Sequence, residues 1–114
     1  MLDEAEYLIR AQRELQSLVE ALDDLGCDNL DCELESDIIT LEFSDETTYV
    51  INSHRAAKQI WMAADLTAWH FDWDEAQGSW IATKTGDELW QTVSRLVTKK
   101  LELPVSLSPS HSTK

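Results

Sequence analysis

The sequence predicts an α+β domain, a two-layer αβ sandwich with two helices packed on one face of a roughly six-stranded antiparallel sheet. Three observations predict it. A stretch near each end of the chain carries apolar residues at three- and four-residue steps, the period of an amphipathic helix. Between them, residues 30–83 break into short runs in which apolar and polar residues alternate, the period of a strand with one buried face. The connections between those runs are too short for a parallel crossover, so successive strands pair antiparallel. Two helices and one such sheet share a core only when both helices lie on the same face, which leaves the other face open.

The first helix spans residues 3–25, with Leu8, Ala11, Leu15, Leu18, Val19, Leu22 and Leu25 as its apolar stripe and Gly26 as its stop. Glu6, Glu20, Asp23 and Asp24 fall on the side away from that stripe, with Arg13 among them. Like charges three and four residues apart near a helix C-terminus repel one another and oppose the macrodipole. That arrangement lowers local stability, which favours a binding role over a merely solvated face.

Leu30–Glu35 alternates strictly, with Leu30, Cys32 and Leu34 inward and Asp31, Glu33 and Glu35 outward. Ser36–Asp37 turns the chain into a second strand, where Ile39, Leu41 and Phe43 face in and Thr40 and Glu42 face out. Ser44–Asp45–Glu46 is a hairpin loop without the usual glycine. Thr47–Asn52 is a third strand, rich in β-branched residues. Residues 53–57 read as a connection, and Lys58–Ala64 as a fourth strand with Ile60 and Met62 on one face and Gln59, Trp61 and Ala63 on the other. Trp69–Trp73 is a fifth strand, with His70 and Asp72 outward, and Trp80–Thr83 a short sixth. The second helix opens on Thr85-Gly86-Asp87-Glu88, a capping-box pattern. Leu89, Val93, Leu96 and Val97 form its stripe with Trp90 at the edge, Lys99 and Lys100 suit its C-terminal dipole, and Pro104 ends it. Residues 1–105 make one domain, and the Ser-rich residues 106–114 read as a loose polar tail.

Charge is placed unevenly. The net charge is −13, yet residues 1–46 hold 15 acids and 2 bases while residues 47–114 hold 7 of each. A general solubility coat would not be confined to two-fifths of the chain. The acidic half repels nucleic acid and anionic membranes, so neither is an expected partner. No apolar run reaches the length of a membrane span and no targeting pattern precedes the first helix, so a cytoplasmic setting is expected. Cys27 and Cys32 lack the second Cys/His pair that a zinc site needs and are expected to be reduced thiols.

The acidic stretch Glu20–Asp37 contains no Lys or Arg. Half of it reads as a helix end and half as a strand, so carboxylates from both would meet along one edge. Hard cations prefer such oxygen donors, but open carboxylates leave an ion mostly hydrated, giving weak and poorly selective sites. Trp61 belongs on the open sheet face beside Gln59, where an exposed indole is a candidate contact residue. No EF-hand loop, two-His–carboxylate triad, nucleophile–base pair or ferritin-type Glu-x-x-His set is present, so the chain does not read as an enzyme.

Leu22-Asp23-Asp24, Leu30-Asp31-Cys32-Glu33, Ile51-Asn52, Gln59-Ile60-Trp61-Met62-Ala63, His70-Phe71-Asp72, Trp80 and Gly86-Asp87-Glu88-Leu89-Trp90 occur in an order and spacing that resemble the frataxin family, including its bacterial branch. The resemblance runs from about residue 5 to 103 and no single motif carries it. It implies an adaptor in iron–sulfur cluster assembly that is a monomer without metal and binds Fe²⁺ or Fe³⁺ weakly and reversibly. Carried over by position, the metal-binding ridge is Glu20, Asp23, Asp24, Asp28, Asp31 and Glu33. Contacts to a cysteine desulfurase and an iron–sulfur scaffold protein would come from Asn52, Gln59 and Trp61, together with Asp23, Asp24 and Glu33. The chain departs from the family pattern at Leu8, where bacterial members often carry His, at His54 and Ala56 in place of Gln and Pro, and at Thr67-Ala68 in place of Gly-Gly. Two other classes compete with the adaptor: an acidic protein-interaction module without a metal role, and a ferroxidase or iron store.

Overall fold

The computed structural model describes residues 2–108. Its elements run α1 (Glu4–Asp23), β1 (Leu30–Glu35), β2 (Ile38–Phe43), β3 (Thr48–His54), β4 (Gln59–Ala64), β5 (Thr67–Asp74), β6 (Ser79–Ala82) and α2 (Leu89–Leu101). The six strands form one antiparallel sheet in chain order. Both helices pack on the same face of it, as the alternation requires. Tyr7, Ala11, Leu15, Leu18 and Leu22 of α1 and Leu89, Val93, Leu96 and Val97 of α2 meet Ile39, Leu41, Ile51, Ile60, Met62, Phe71 and Trp80 in one core. No helix among the described residues is long and apolar enough to cross a membrane.

Local chemistry fixes the helix ends. Asp3 caps α1 by accepting from the Glu6 backbone N–H at 2.8 Å, and the Glu6 carboxylate reaches back to the Asp3 N–H. At the other end Gly26, at φ +59°, lets the chain turn out of the helix. The predicted capping box of α2 is displaced. Glu88, not Thr85, is the N-cap, and its side chain accepts from Gln91 N–H. The reason lies in the sheet: Glu88 bridges Ile81 of β6, which holds its backbone extended and delays the helix to Leu89. Thr85 instead closes a local turn by accepting from the Asp87 N–H.

The connection expected at 53–57 is shorter than predicted. β3 continues to His54, opposite Gln59 of β4, and only Arg55–Ala57 leave the ladder, as one 3-10 turn closed by Lys58 at φ +54°. The tail expected to be loose from Ser106 is attached at its start. The Leu107 N–H donates to Ser94 Oγ and Leu107 packs against the core, while residues 109–114 lie outside the described residues.

One polar contact in the core was not anticipated. Glu14 is buried between the helices, and Trp90 Nε1 of α2 donates to its carboxylate. Trp90 is therefore a core residue rather than an edge one. A buried carboxylate that loses a donor retains its desolvation cost. Trp90→Phe is expected to lower the unfolding free energy by about 1–3 kcal/mol in urea denaturation. An unchanged transition midpoint would mean that Glu14's other contacts suffice.

Candidate functional site

The acidic edge is built where α1 ends and β1 begins. Asp24 is the C-cap of α1, its N–H donating to Glu20 O, and no basic residue occupies the last turn. The chain passes through Gly26 and Cys27 and turns at Asp28–Asn29, where Asn29 O accepts from the Ser44 N–H at 3.0 Å. It then enters β1, the edge strand beside β2. Glu20, Asp23, Asp24, Asp28, Asp31 and Glu33 are all exposed. Among the described residues the ion pairs are Arg55–Glu4 and Lys100–Asp45, so none of these six carboxylates is paired with a base.

The six do not share one face. Glu20, Asp23 and Asp24 belong to the helix layer, whereas Asp31 and Glu33 point to the open sheet face with the other outward residues of β1. They flank the edge from two sides, with Cys32 between them: its thiol is pushed up to about 12 by burial first and then by Asp23 and Asp31. Among the described residues no three His, Cys, Asp or Glu side chains are grouped so that they could hold one ion. The donors have the chemistry for a hard cation but are not preassembled around a point.

Sequence reading missed one member of this surface. Asp31, Cys32, Glu33, Thr40 and Glu42 line a shallow depression of about 330 Å³. Glu42 sits directly opposite Asp31 in the β1–β2 register. The signal was present: Ser36–Asp37 is a two-residue turn with both residues at positive φ, which fixes the pairing, and the alternation of β2 already placed Glu42 outward. Like charges directly opposite across a ladder repel, so this pair extends the unpaired negative field onto the sheet.

The second predicted surface lies on the same open face. Asn52, Trp61 and His70 form a row across β3, β4 and β5. Trp61 Nε1 donates to Gln59 Oε1 at 2.7 Å, and Gln59 Nε2 donates to Asp72 Oδ1 at 3.1 Å. Asn52 Nδ2 donates to Ser53 O. β1 and β4 are three strand spacings apart, roughly 14 Å, which exceeds a Debye length of about 8–10 Å at physiological salt. The acidic edge and Trp61 are thus separable surfaces on one sheet.

Residues 1–103 match the family description "Frataxin-like domain". The chain belongs to the frataxin family, in its bacterial CyaY-type branch. It is 31% identical over 108 residues to a protein of Paraburkholderia phymatum named iron-sulfur cluster assembly protein CyaY, covering 95% of this chain and 100% of that one. Frataxin from Psychromonas ingrahamii superposes with a TM-score of 0.85 at 25% identity, covering 94% of this chain and 99% of that one. Trimeric frataxin of the yeast Saccharomyces cerevisiae, in a ferrous complex, superposes with a TM-score of 0.72 at 30% identity over 90% of this chain and 88% of that one. The frataxin fold therefore accommodates the departures at Leu8, His54, Ala56 and Thr67-Ala68 without loss of a strand.

Two predictions come from the acidic edge of this frataxin. Asp23→Asn with Asp24→Asn removes repulsion at a helix end that has no basic residue to relieve it. The melting temperature of the metal-free protein is expected to rise, by on the order of 2 °C, and added salt should raise the parent more than the variant. A drop in melting temperature would mean that these acids serve as structural caps. The Cys32 thiol, pushed up to about 12 by burial, holds little of the reactive thiolate at pH 8. It should lag behind Cys27 in alkylation by iodoacetamide, followed by mass spectrometry, and equal rates would contradict its burial. A thiol that the fold holds protonated contributes stability that is fully present below the ordinary thiol range and is lost as pH rises toward 12.

Proposed function

We propose that this frataxin is an adaptor and regulator of iron–sulfur cluster assembly rather than an enzyme. In this reading it carries iron weakly and reversibly on the acidic edge and docks a cysteine desulfurase and an iron–sulfur scaffold protein. One observation carries the reading: Glu20, Asp23, Asp24, Asp28, Asp31 and Glu33 line one edge, and among the described residues no base is paired to any of them. An uncompensated field of this kind attracts hard cations and basic surfaces, and it sets encounter rates more than lifetimes. The relatives named as iron–sulfur cluster assembly proteins and the ferrous complex of a yeast frataxin support the same role. The exposed, unclustered donors suit iron as a passing cargo held through its water shell, not as a resident centre.

The division of labour follows from range. The charged edge acts at a distance, so it governs the approach of the desulfurase. Trp61 acts only in contact, so it governs the lifetime of the complex with the scaffold. The protein works as a monomer in the absence of metal, in the cytoplasm. A second reading, an acidic docking module without a metal role, is favoured because no three donors cluster among the described residues. Titration of the isolated protein with Fe²⁺ separates the two.

In that titration, followed by NMR, amide signals of Glu20, Asp23, Asp24, Asp28 and Asp31 are expected to move while those of His54 and His70 stay. Shifts centred on the histidines or Cys27 would refute the site, and no shifts at all would favour the docking module. In surface-bound kinetics, Asp23→Lys with Asp24→Lys should abolish desulfurase binding, and the wild-type association rate should fall steeply with salt. Trp61→Ala should leave iron binding and the circular dichroism spectrum unchanged but accelerate dissociation of the scaffold. Salt-independent association would remove the electrostatic argument.

A further inference from the structure

Trp61 does not stand alone on the open face. Its indole lies between two imidazoles: His54 from β3 at 3.7 Å between ring centroids with an interplanar angle of 11°, and His70 from β5 at 4.1 Å and 14°. Because β4 runs between β3 and β5, the two rings take opposite faces of the indole. His70 is the direct register partner of Trp61, and His54 is the diagonal one, opposite Gln59. The edge of the indole is held as well, by the hydrogen bond from Nε1 to Gln59 Oε1.

We propose that His54 and His70 are positioning residues for Trp61, and that they make docking on this face release protons, so that the complex weakens as pH falls through the imidazole range. The proposal rests on the reading of Trp61 as the scaffold contact and adds the control of that contact. An indole clamped on both faces and at its edge meets a partner with its rotamer already chosen, so it loses little freedom on binding. Two imidazoles bring a second property, since they are the side chains that change charge between about pH 5 and 8.

The direction follows from where the proton would go. His54 Nδ1 is buried and has no hydrogen-bond partner among the described residues. A lone pair is tolerated there, whereas a protonated ring would place an N–H donor at the same point without an acceptor. A partner that covers the stack also strips water from the ring edges, which costs an imidazolium far more than a neutral imidazole. Attraction between an imidazolium and the indole face strengthens as water is excluded, but it stays below what desolvating an unpaired imidazolium costs. The other charged groups around this part of the sheet are Asp72 on β5, Glu35 on β1, Asp37 at the β1–β2 turn, Arg55 and Lys58 beside the 3-10 turn, and Lys84 after β6. From the covered side, Tyr7 of α1 donates its hydroxyl proton to Gln59 O. Arg55 is paired with Glu4 on α1, and the Asp72 carboxylate accepts from Gln59 Nε2, so neither faces an imidazole as a free charge.

The test has two arms, both on the full chain, with His54→Gln, His70→Gln and the double variant, circular dichroism serving as the folding control. In the first, the Trp61 Nε1–H resonance of the free protein is followed from about pH 7.5 to 5.5. It should move in the wild type, move less in each single variant and stay still in the double variant. In the second, scaffold docking is measured at both ends of that range. The wild type should lose about tenfold in affinity on acidification, and the double variant less than about twofold, while at pH 7.5 the double variant should already dissociate several-fold faster. An indole signal that follows the same pH course in the double variant, or a tenfold loss that persists there, overturns the proposal. If Trp61→Ala leaves docking unchanged at every pH, the scaffold-contact reading fails instead, and the proton linkage of docking with it.

Discussion

The constraint on which everything else depends is that the sheet can be covered on one side only. The six antiparallel strands follow chain order, and both helices are needed on one face to bury Ile39, Leu41, Ile51, Ile60, Met62, Phe71 and Trp80. Period-2 alternation then dictates that every second residue of every strand faces solvent. Asp31, Glu33 and Glu42 at one end of the sheet, and Asn52, Gln59, Trp61 and His70 toward the other, lie on the face that no described element covers. The helices supply the remainder of the acidic edge only because α1 ends beside the first strand.

Regularity decided what was legible in the sequence. The heptad-like stripe of α1 and the alternation of β1, β2 and β4 are local repeats, so the fold class, the strand order and the open-face placement of Trp61 could all be read. The short, irregular joints were harder. The helical start at Leu89 depends on a bridge from Glu88 to Ile81, and the two extra residues of β3 depend on pairing with β4. Such pairings are long-range, and a capping pattern or a turn-like composition gives no sign of them. The buried Glu14 is a similar case, because its environment is made by Trp90, far along the chain.

The candidate site was legible in kind and incomplete in arrangement. Acid count and spacing identified the edge, and the structure adds that its members face two ways around Cys32. Glu42 could have been assigned from the turn at Ser36–Asp37, because a two-residue hairpin fixes its own register. The ring stack on Trp61 could not. The sequence puts Trp61 and His70 on strands but His54 in a connection, and only the extension of β3 and the strand register turn the three rings into a column.

The turns have a consequence for the unfolded chain. Ser36, Asp37, Glu46, Lys58, Asp65 and Glu102 hold positive φ where glycine would be the relaxed choice, and the whole sequence contains only 3 glycines. A non-glycine residue in the left-handed region costs roughly 1–2 kcal/mol, but a glycine adds chain freedom that folding must remove, worth about 0.5–1 kcal/mol. The second effect offsets about half of the first at each position, so native strain at these turns is partly matched by a stiffer denatured ensemble. Part of the stability margin of this frataxin is thus held outside the folded molecule, in conformations that its unfolded chain does not have available to lose.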